Sequence, residues 1–266
     1  MRNLQLLLTS LFLFLSACSP AAVENISPTP SWTPTREAAI TPEPSPAPTQ
    51  ENPDSLEVGT PTPTESIPEP PTQLCSPLAE HSSELLIEIV SSPYAPPPDG
   101  KDDRHHGVDF AYYNHGERAS VDGEGVQSIL AGRVAAAISD RLPYGNMVII
   151  ETPPELIPEA LQEMLQIPAG SSLYHLYAHL SEAPLVEPGQ SIGCGELLGY
   201  AGMTGYNIPV PHLHLETRIG PANIAFDGMV FYDTHATPTE QENYLRWRTS
   251  GEFQHFDPMV LFTNTP

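Results

Sequence analysis

The 266-residue sequence predicts an all-β domain, an antiparallel sheet core with a short helical insertion, carried on a disordered proline- and threonine-rich arm. Three features lead there. Thirty-two prolines are far above ordinary usage and unevenly placed. Beyond residue 75, short apolar runs are bounded by glycine and proline in the manner of strands. A single stretch, residues 155–167, has strong helical spacing, and no internal repeat is visible.

Arg2 and the largely apolar Leu6–Leu15 have the make-up of a signal peptide. The apolar run is too short for a bilayer core of about 30 Å, which needs roughly 20 helical residues. Leu15-Ser16-Ala17-Cys18 resembles a bacterial lipobox, which implies removal of residues 1–17 and diacylation of Cys18. Two acyl chains anchor stably where one is marginal, so the expectation is an extracytoplasmic protein, lipid-anchored to a bacterial membrane.

Residues 18–74 form the linker. Fourteen of the 55 residues 19–73 are proline, and eight acidic residues face one basic residue, Arg36. Proline lacks the backbone donor, and little apolar surface is present to offset ordering entropy. At about 3.1 Å per residue the limiting reach is on the order of 170 Å, enough to cross into a cell-wall layer. With Cys18 assigned to lipid, Cys75 and Cys194 remain, and an oxidising exterior favours a bridge between them over two buried thiols. Ten basic residues against 33 acidic argue against nucleic acid and other polyanions as partners, although an acidic surface is also simply a soluble one. Nothing in the chain sets its oligomeric state, and a monomer is the default.

Residues 75–266 are ample for one core. Glu84–Val90 is read as a strand. Gly107–Tyr113 places Val108, Phe110 and Tyr112 on one face and Asp109 on the other. Val126–Ile138 is two short strands broken at Gly132, and Asn146–Glu151 is a buried strand after the turn at Pro143-Tyr144-Gly145. Ile157, Ala160, Leu161, Met164 and Leu165 recur at helical spacing, an insertion over about 152–171 expected to alter one wall of a groove. Ser172–Leu180 resumes the sheet. Ser191–Gly202 reads as a hairpin, Thr204–Pro211 as a loop, and Thr239–Arg248 as a weak helix.

Histidines carry the chemistry. In Pro211-His212-Leu213-His214 the two imidazoles share a strand face, and His105 and Asp109 are likewise an even number of steps apart, with Gly107 leaving room for close approach. Imidazoles and a carboxylate on extended segments suit Zn2+. His179 lies between, in Tyr177-Ala178-His179-Leu180. His106 is expected behind the site or exposed. A hydrolytic zinc needs three protein ligands and an open position, so four candidates (His105, Asp109, His212, His214) are one too many, and the spacing does not say which is not a ligand.

His105-His106-Gly107-Val108-Asp109 and His212-Leu213-His214 resemble the His-x-Gly-x-Asp and His-x-His motifs of the lysostaphin and LytM-type zinc endopeptidases. Tyr177-Ala178-His179-Leu180 and the glycine-rich Gly199–Gly205 segment resemble theirs in the same order, from about residue 87 to 218. The resemblance implies an antiparallel β core with a groove, one Zn2+ held by His105, Asp109 and His214, and His179 and His212 as catalytic residues. It also implies peptidoglycan stem or cross-bridge peptides as substrate, cut through a metal-activated water. The alternative is a non-catalytic, membrane-tethered module that binds wall peptides or activates another hydrolase. A peptidase acting on other proteins is a lesser third reading.

Overall fold

The computed structural model describes residues 74–263; Cys18 and the stretches read as signal peptide and, nearly in full, as linker lie outside the described residues. A 3-10 helix, Ser83–Ile89, opens the domain, followed by strands β1 (Val90–Ser92), β2 (Val108–Phe110), β3 (Tyr113–His115), β4 (Arg118–Ser120) and β5 (Gly125–Gln127). Next come β6 (Gly132–Arg141), β7 (Gly145–Thr152), a second 3-10 turn (Pro154–Leu156), α1 (Glu159–Leu165) and β8 (Ser171–Leu180). The chain ends with β9 (Ser191–Ile192), β10 (Leu197–Tyr200), β11 (Leu213–Pro221), α2 (Pro238–Arg248), β12 (Gln254–Phe256) and α3 (Met259–Thr263).

Antiparallel pairing builds one sheet of eight strands in the order β1-β2-β11-β8-β7-β6-β9, with β12 beside β11. β2 and β12 share one edge of β11, β2 against residues 213–215 and β12 against 217–219. The sheet is covered on both faces. Val108, Phe110, Val148, Ile150, Tyr177, Leu213 and Leu215 belong to one apolar cluster, which also takes in Ile157 and Leu161 of the insertion. Met147, Ile149, Tyr174, Leu176 and Ala178 belong to the other, closed over by Phe226, Met229, Tyr244, Trp247 and Phe253 from the C-terminal segment. Alternation along β2 and β11 therefore sends Asp109, His214, Glu216 and Arg218 toward the C-terminal segment.

Three expectations are corrected. Glu84–Val90 is 3-10 helix for all but its last residue: Leu86 is fully buried while Leu85 and Ile87 are exposed, a three-residue rather than two-residue rhythm. Ser191–Gly202 is not a self-paired hairpin, because β9 pairs with β6 and β10 with β5. The helical insertion joins the end of β7 to the start of β8, whereas the groove lies at the opposite ends of these strands, about 25 Å away at strand rise. It packs on the core and lines no part of the groove.

Cys75 and Cys194 form a disulfide across a sequence separation of 119 residues, tying the domain entry to the β9–β10 connection. Among the described residues, no helix is long and apolar enough to cross a membrane. Alkylation without reductant should add nothing at Cys75 or Cys194 by mass. Replacing both by serine should lower unfolding free energy by about 2–4 kcal/mol in a urea titration, and an unchanged midpoint would show that the crosslink adds nothing.

Candidate metal centre

The register between β2 and β11 puts Asp109 directly opposite His214 on one face. His105 reaches them from the preceding loop, where Arg104 takes a positive φ of 62° and His105 bridges to Ala95. Three donor atoms converge. His105 Nε2 lies 3.0 Å from Asp109 Oδ1 and 3.1 Å from His214 Nδ1, and the last two are 2.7 Å apart. Gly107 makes the approach feasible: a Cβ there would run into the Leu215 carbonyl and lie 2.9 Å from His214 Cε1.

His212 stands just before β11, fixed by a bridge to Gly202, with Nε2 3.7 Å from Asp109 Oδ1. His179 arrives by another device. Period-two alternation from Tyr177 would aim it at the wrong face of the sheet. A bulge sets Ala178 and His179 together against Met147, and His179 takes a φ of 64°. Its ring then sits 4.8 Å from that of His212 and 5.6 Å from that of His214. Gly205 closes against this bulge, since a Cβ there would lie 3.0 Å from His179 Nδ1.

The outer nitrogen of each ring is engaged. His105 Nδ1 meets the Pro93 carbonyl at 2.9 Å, His179 Nδ1 that of Thr204 at 2.8 Å, and His212 Nδ1 that of Val210 at 2.9 Å. A carbonyl only accepts, so these nitrogens carry the protons and each Nε2 keeps its lone pair. His214 Nε2 donates to Glu216 Oε1 at 3.2 Å, leaving Nδ1 for the centre. Lone pairs packed this closely repel unless a cation or proton lies among them. The donor set, its spacing and its outer hydrogen bonds fit a tetrahedral zinc, whose ligands stand about 3.3 Å apart. His105, Asp109 and His214 can hold the ion.

Charge in the site agrees. Burial would raise the Asp109 pKa, but in the metal-free protein a proton held among the facing nitrogens of His105 and His214 donates to its carboxylate, outweighs burial and keeps it ionised. Burial works against protonation of His214, yet its bonds to Asp109 and Glu216 lift it to about 9, marking a seat for positive charge that a bound metal would take over from the proton. Burial, then the neighbouring His214 and His212, push His179 down to about 3, so this ring is neutral.

Sequence reasoning missed the support beneath. Glu216 is fully buried and its carboxylate accepts from every side. Oε1 receives Tyr144 Oη at 2.6 Å, Arg248 Nη1 at 3.0 Å and His214 Nε2. Oε2 receives Arg218 Nη2 at 2.8 Å and Nε at 3.1 Å, and Trp247 Nε1 at 2.9 Å. Burial alone would raise its pKa, but the two guanidiniums hold it well below the carboxylate range. Residues 212, 214, 216 and 218 lie two apart, a signal that could have identified Glu216 and Arg218. Arg248 and Trp247, on α2, carried none. His106 is fully buried rather than exposed; its Nδ1 accepts from Arg218 Nη2 at 2.8 Å.

Above the centre opens a groove of about 490 Å³. Tyr206 to Pro209 of the loop before β11 form part of its lining, and Tyr232, Tyr244 and Arg248 of the C-terminal segment another.

Residues 103–226 match the model of peptidase family M23. Among solved structures, the catalytic domain of the antimicrobial peptidase lysostaphin from Staphylococcus simulans is 26% identical over 52% of this chain and 86% of its own, with a TM-score of 0.36. A mutant catalytic domain of the prophage-encoded M23 protein EnpA from Enterococcus faecalis is 22% identical over 52% of this chain and 85% of its own, TM-score 0.36. A zinc containing peptidase from Vibrio cholerae is 25% identical over 49% of this chain and 33% of its own, TM-score 0.34. Comparison with curated proteins gives no match. The family segment ends at residue 226, before α2 begins.

Glu216→Ala should destabilise the domain by about 3–5 kcal/mol in chemical denaturation, because Arg218 and Arg248 lose the charge that compensates them. A loss below about 1 kcal/mol would mean that water replaces the carboxylate.

Proposed function

From the match of residues 103–226 to the model of peptidase family M23, we propose a zinc-dependent metalloendopeptidase that cuts peptide bonds of peptidoglycan stem or cross-bridge peptides. The observation that supports it most is the convergence of His105 Nε2, Asp109 Oδ1 and His214 Nδ1, with the outer nitrogens of both rings already engaged. Bound there, zinc would acidify a water and polarise a carbonyl.

The chain's own residues supply the rest. Asp109 and Glu216 are both ionised and flank His214, fixing its orientation between them. His179 and His212 hold their Nδ1 protons on carbonyls and offer Nε2 toward the centre, so this neighbouring pair can take the proton of the attacking water and return it to the leaving amine. His179 is uncharged, which leaves its Nε2 lone pair open toward the centre. The imidazole that takes this proton becomes positive and, until it returns the proton to the leaving amine, stabilises the oxyanion of the tetrahedral intermediate. The open groove of about 490 Å³ beside these groups offers a place for the substrate peptide.

The substrate assignment draws on the N-terminal sequence and on the motif resemblance. A lipidated Cys18 at a bacterial membrane, followed by a long linker, would hold the domain within reach of the wall. The net charge of −23 does not favour polyanionic wall polymers and does not oppose binding of the wall peptides. The ordered five-residue set and the open groove argue for catalysis over a binding-only module.

Zinc-loaded full-length protein incubated with intact peptidoglycan should release products with new amine termini inside stem or bridge peptides, read by mass spectrometry. Absence of such termini at one zinc per chain would reject the peptidase. His214→Ala should lose zinc together with activity, whereas His179→Ala should retain zinc and lose most turnover. Zinc lost from His179→Ala but kept in His105→Ala would overturn the ligand assignment.

A further inference from the structure

One end of the groove is built differently from the rest. Among the groove-lining residues the one carboxylate is Asp109, yet two permanent cations, Arg104 and Arg248, line it too. Their chain segments meet: Asp102, two residues before Arg104, accepts from Arg248 Nε at 2.6 Å. In a chain with 10 basic and 33 acidic residues, two guanidiniums at one end of a groove stand against the overall balance.

Their hydrogen bonding leaves donors over. Arg248 gives Nε to Asp102, and Nη1 to Glu216 at 3.0 Å and Tyr144 Oη at 3.2 Å. Its Nη2 has no acceptor among the described residues, and the side chain keeps 12% exposure. Arg104 spends Nη1 on the Pro96 carbonyl at 3.0 Å, and its other nitrogens have no acceptor among the described residues. His106 lines the same groove. Because Arg218 donates to its Nδ1, its proton sits on Nε2, which is buried without an acceptor. Every unanswered group named here is a donor.

Arg104 is exposed and His106 Nε2 is buried without an acceptor, so this donor-lined end of the groove suits an anionic acceptor, and guanidinium N–H pairs match the two oxygens of a carboxylate. We propose that the end of the groove formed by Arg104 and Arg248 is a carboxylate subsite that selects peptides bearing a free carboxylate near the scissile bond. This rests on the peptidase reading and adds the substrate class. Arg248 comes from α2, outside residues 103–226, so the C-terminal segment supplies a specificity-determining residue as well as the floor beneath His214. The bonds from Nε and Nη1 hold Arg248 in place, which leaves its third nitrogen preorganised for a ligand.

Two carboxylates share this chemistry, the C-terminal carboxylate of a short peptide and a side-chain carboxylate within a longer one. The test uses synthetic peptide pairs: a C-terminal acid against its amide, and an internal glutamate against glutamine. Binding to metal-free full-length protein is read by fluorescence anisotropy, and kcat/KM is read on the zinc-loaded protein. In one of the pairs the acid should bind about tenfold more tightly than its neutral partner, and which pair shows it identifies the source. Arg104→Gln and Arg248→Lys should each bring the ratio toward one. Lysine keeps a cation beside Glu216 and Asp102, and its melting curve reports folding; if it does not fold, Arg104→Gln decides. Equal binding of acid and neutral peptides in both pairs, no binding of any peptide, or an acid preference unchanged in the folded variants overturns the subsite. An acid preference in binding with no hydrolysis of any peptide supports the subsite and removes the peptidase reading instead.

Discussion

A carboxylate stripped of water costs several kcal/mol unless donors replace its hydration, and Glu216 has all of its hydration replaced. Tyr144, His214, Arg218, Trp247 and Arg248 all donate to it from different parts of the chain. This convergence sets the orientation of His214, because a ring that donates Nε2–H to a fixed carboxylate presents Nδ1 in one direction. It also seats α2 beneath the sheet, because Trp247 and Arg248 lie at its C-terminal end. The two guanidiniums balance what would otherwise be clustered negative charge from Glu216, Asp109 and Asp102. Candidate metal site, C-terminal segment and groove therefore stand or fall together.

The other donors are positioned by simpler means. Asp109 follows from strand register and His212 from a bridge at the start of β11. His105 and His179 each depend on a backbone in the left-handed region, at Arg104 in one case and at the histidine itself in the other. Such conformations are sparsely populated in non-glycine residues and persist where surrounding structure imposes them. Here the imposing contacts are visible: the Thr204 carbonyl and Gly205 hold the His179 ring, and the Pro93 carbonyl holds His105.

Much of this was legible in the sequence, for identifiable reasons. His212, His214, His105, Asp109 and Gly107 could be grouped because strand period two converts spacing into a shared face. The Cys75–Cys194 bridge followed from subtraction of Cys18. What escaped depended on distance or on irregularity. Arg248 lies 32 positions after Glu216, with nothing local to connect them. His179 was singled out only through family resemblance, since its face is set by a bulge that alternation cannot foresee. Glu84–Val90 was misread because an apolar, β-prone run packs by a three-residue rhythm against α3. The insertion was assigned to the groove because sequence order does not say which end of a strand pair carries the site.

The centre can be examined directly by X-ray absorption at the zinc edge on the full-length protein reconstituted with one equivalent of zinc. The account predicts two imidazole nitrogens and one carboxylate oxygen as the protein ligands, with the imidazole signal halved in His214→Ala at whatever zinc remains. A spectrum showing three or more imidazoles, or thiolate sulfur, or no uptake of zinc at stoichiometric concentration, would contradict it.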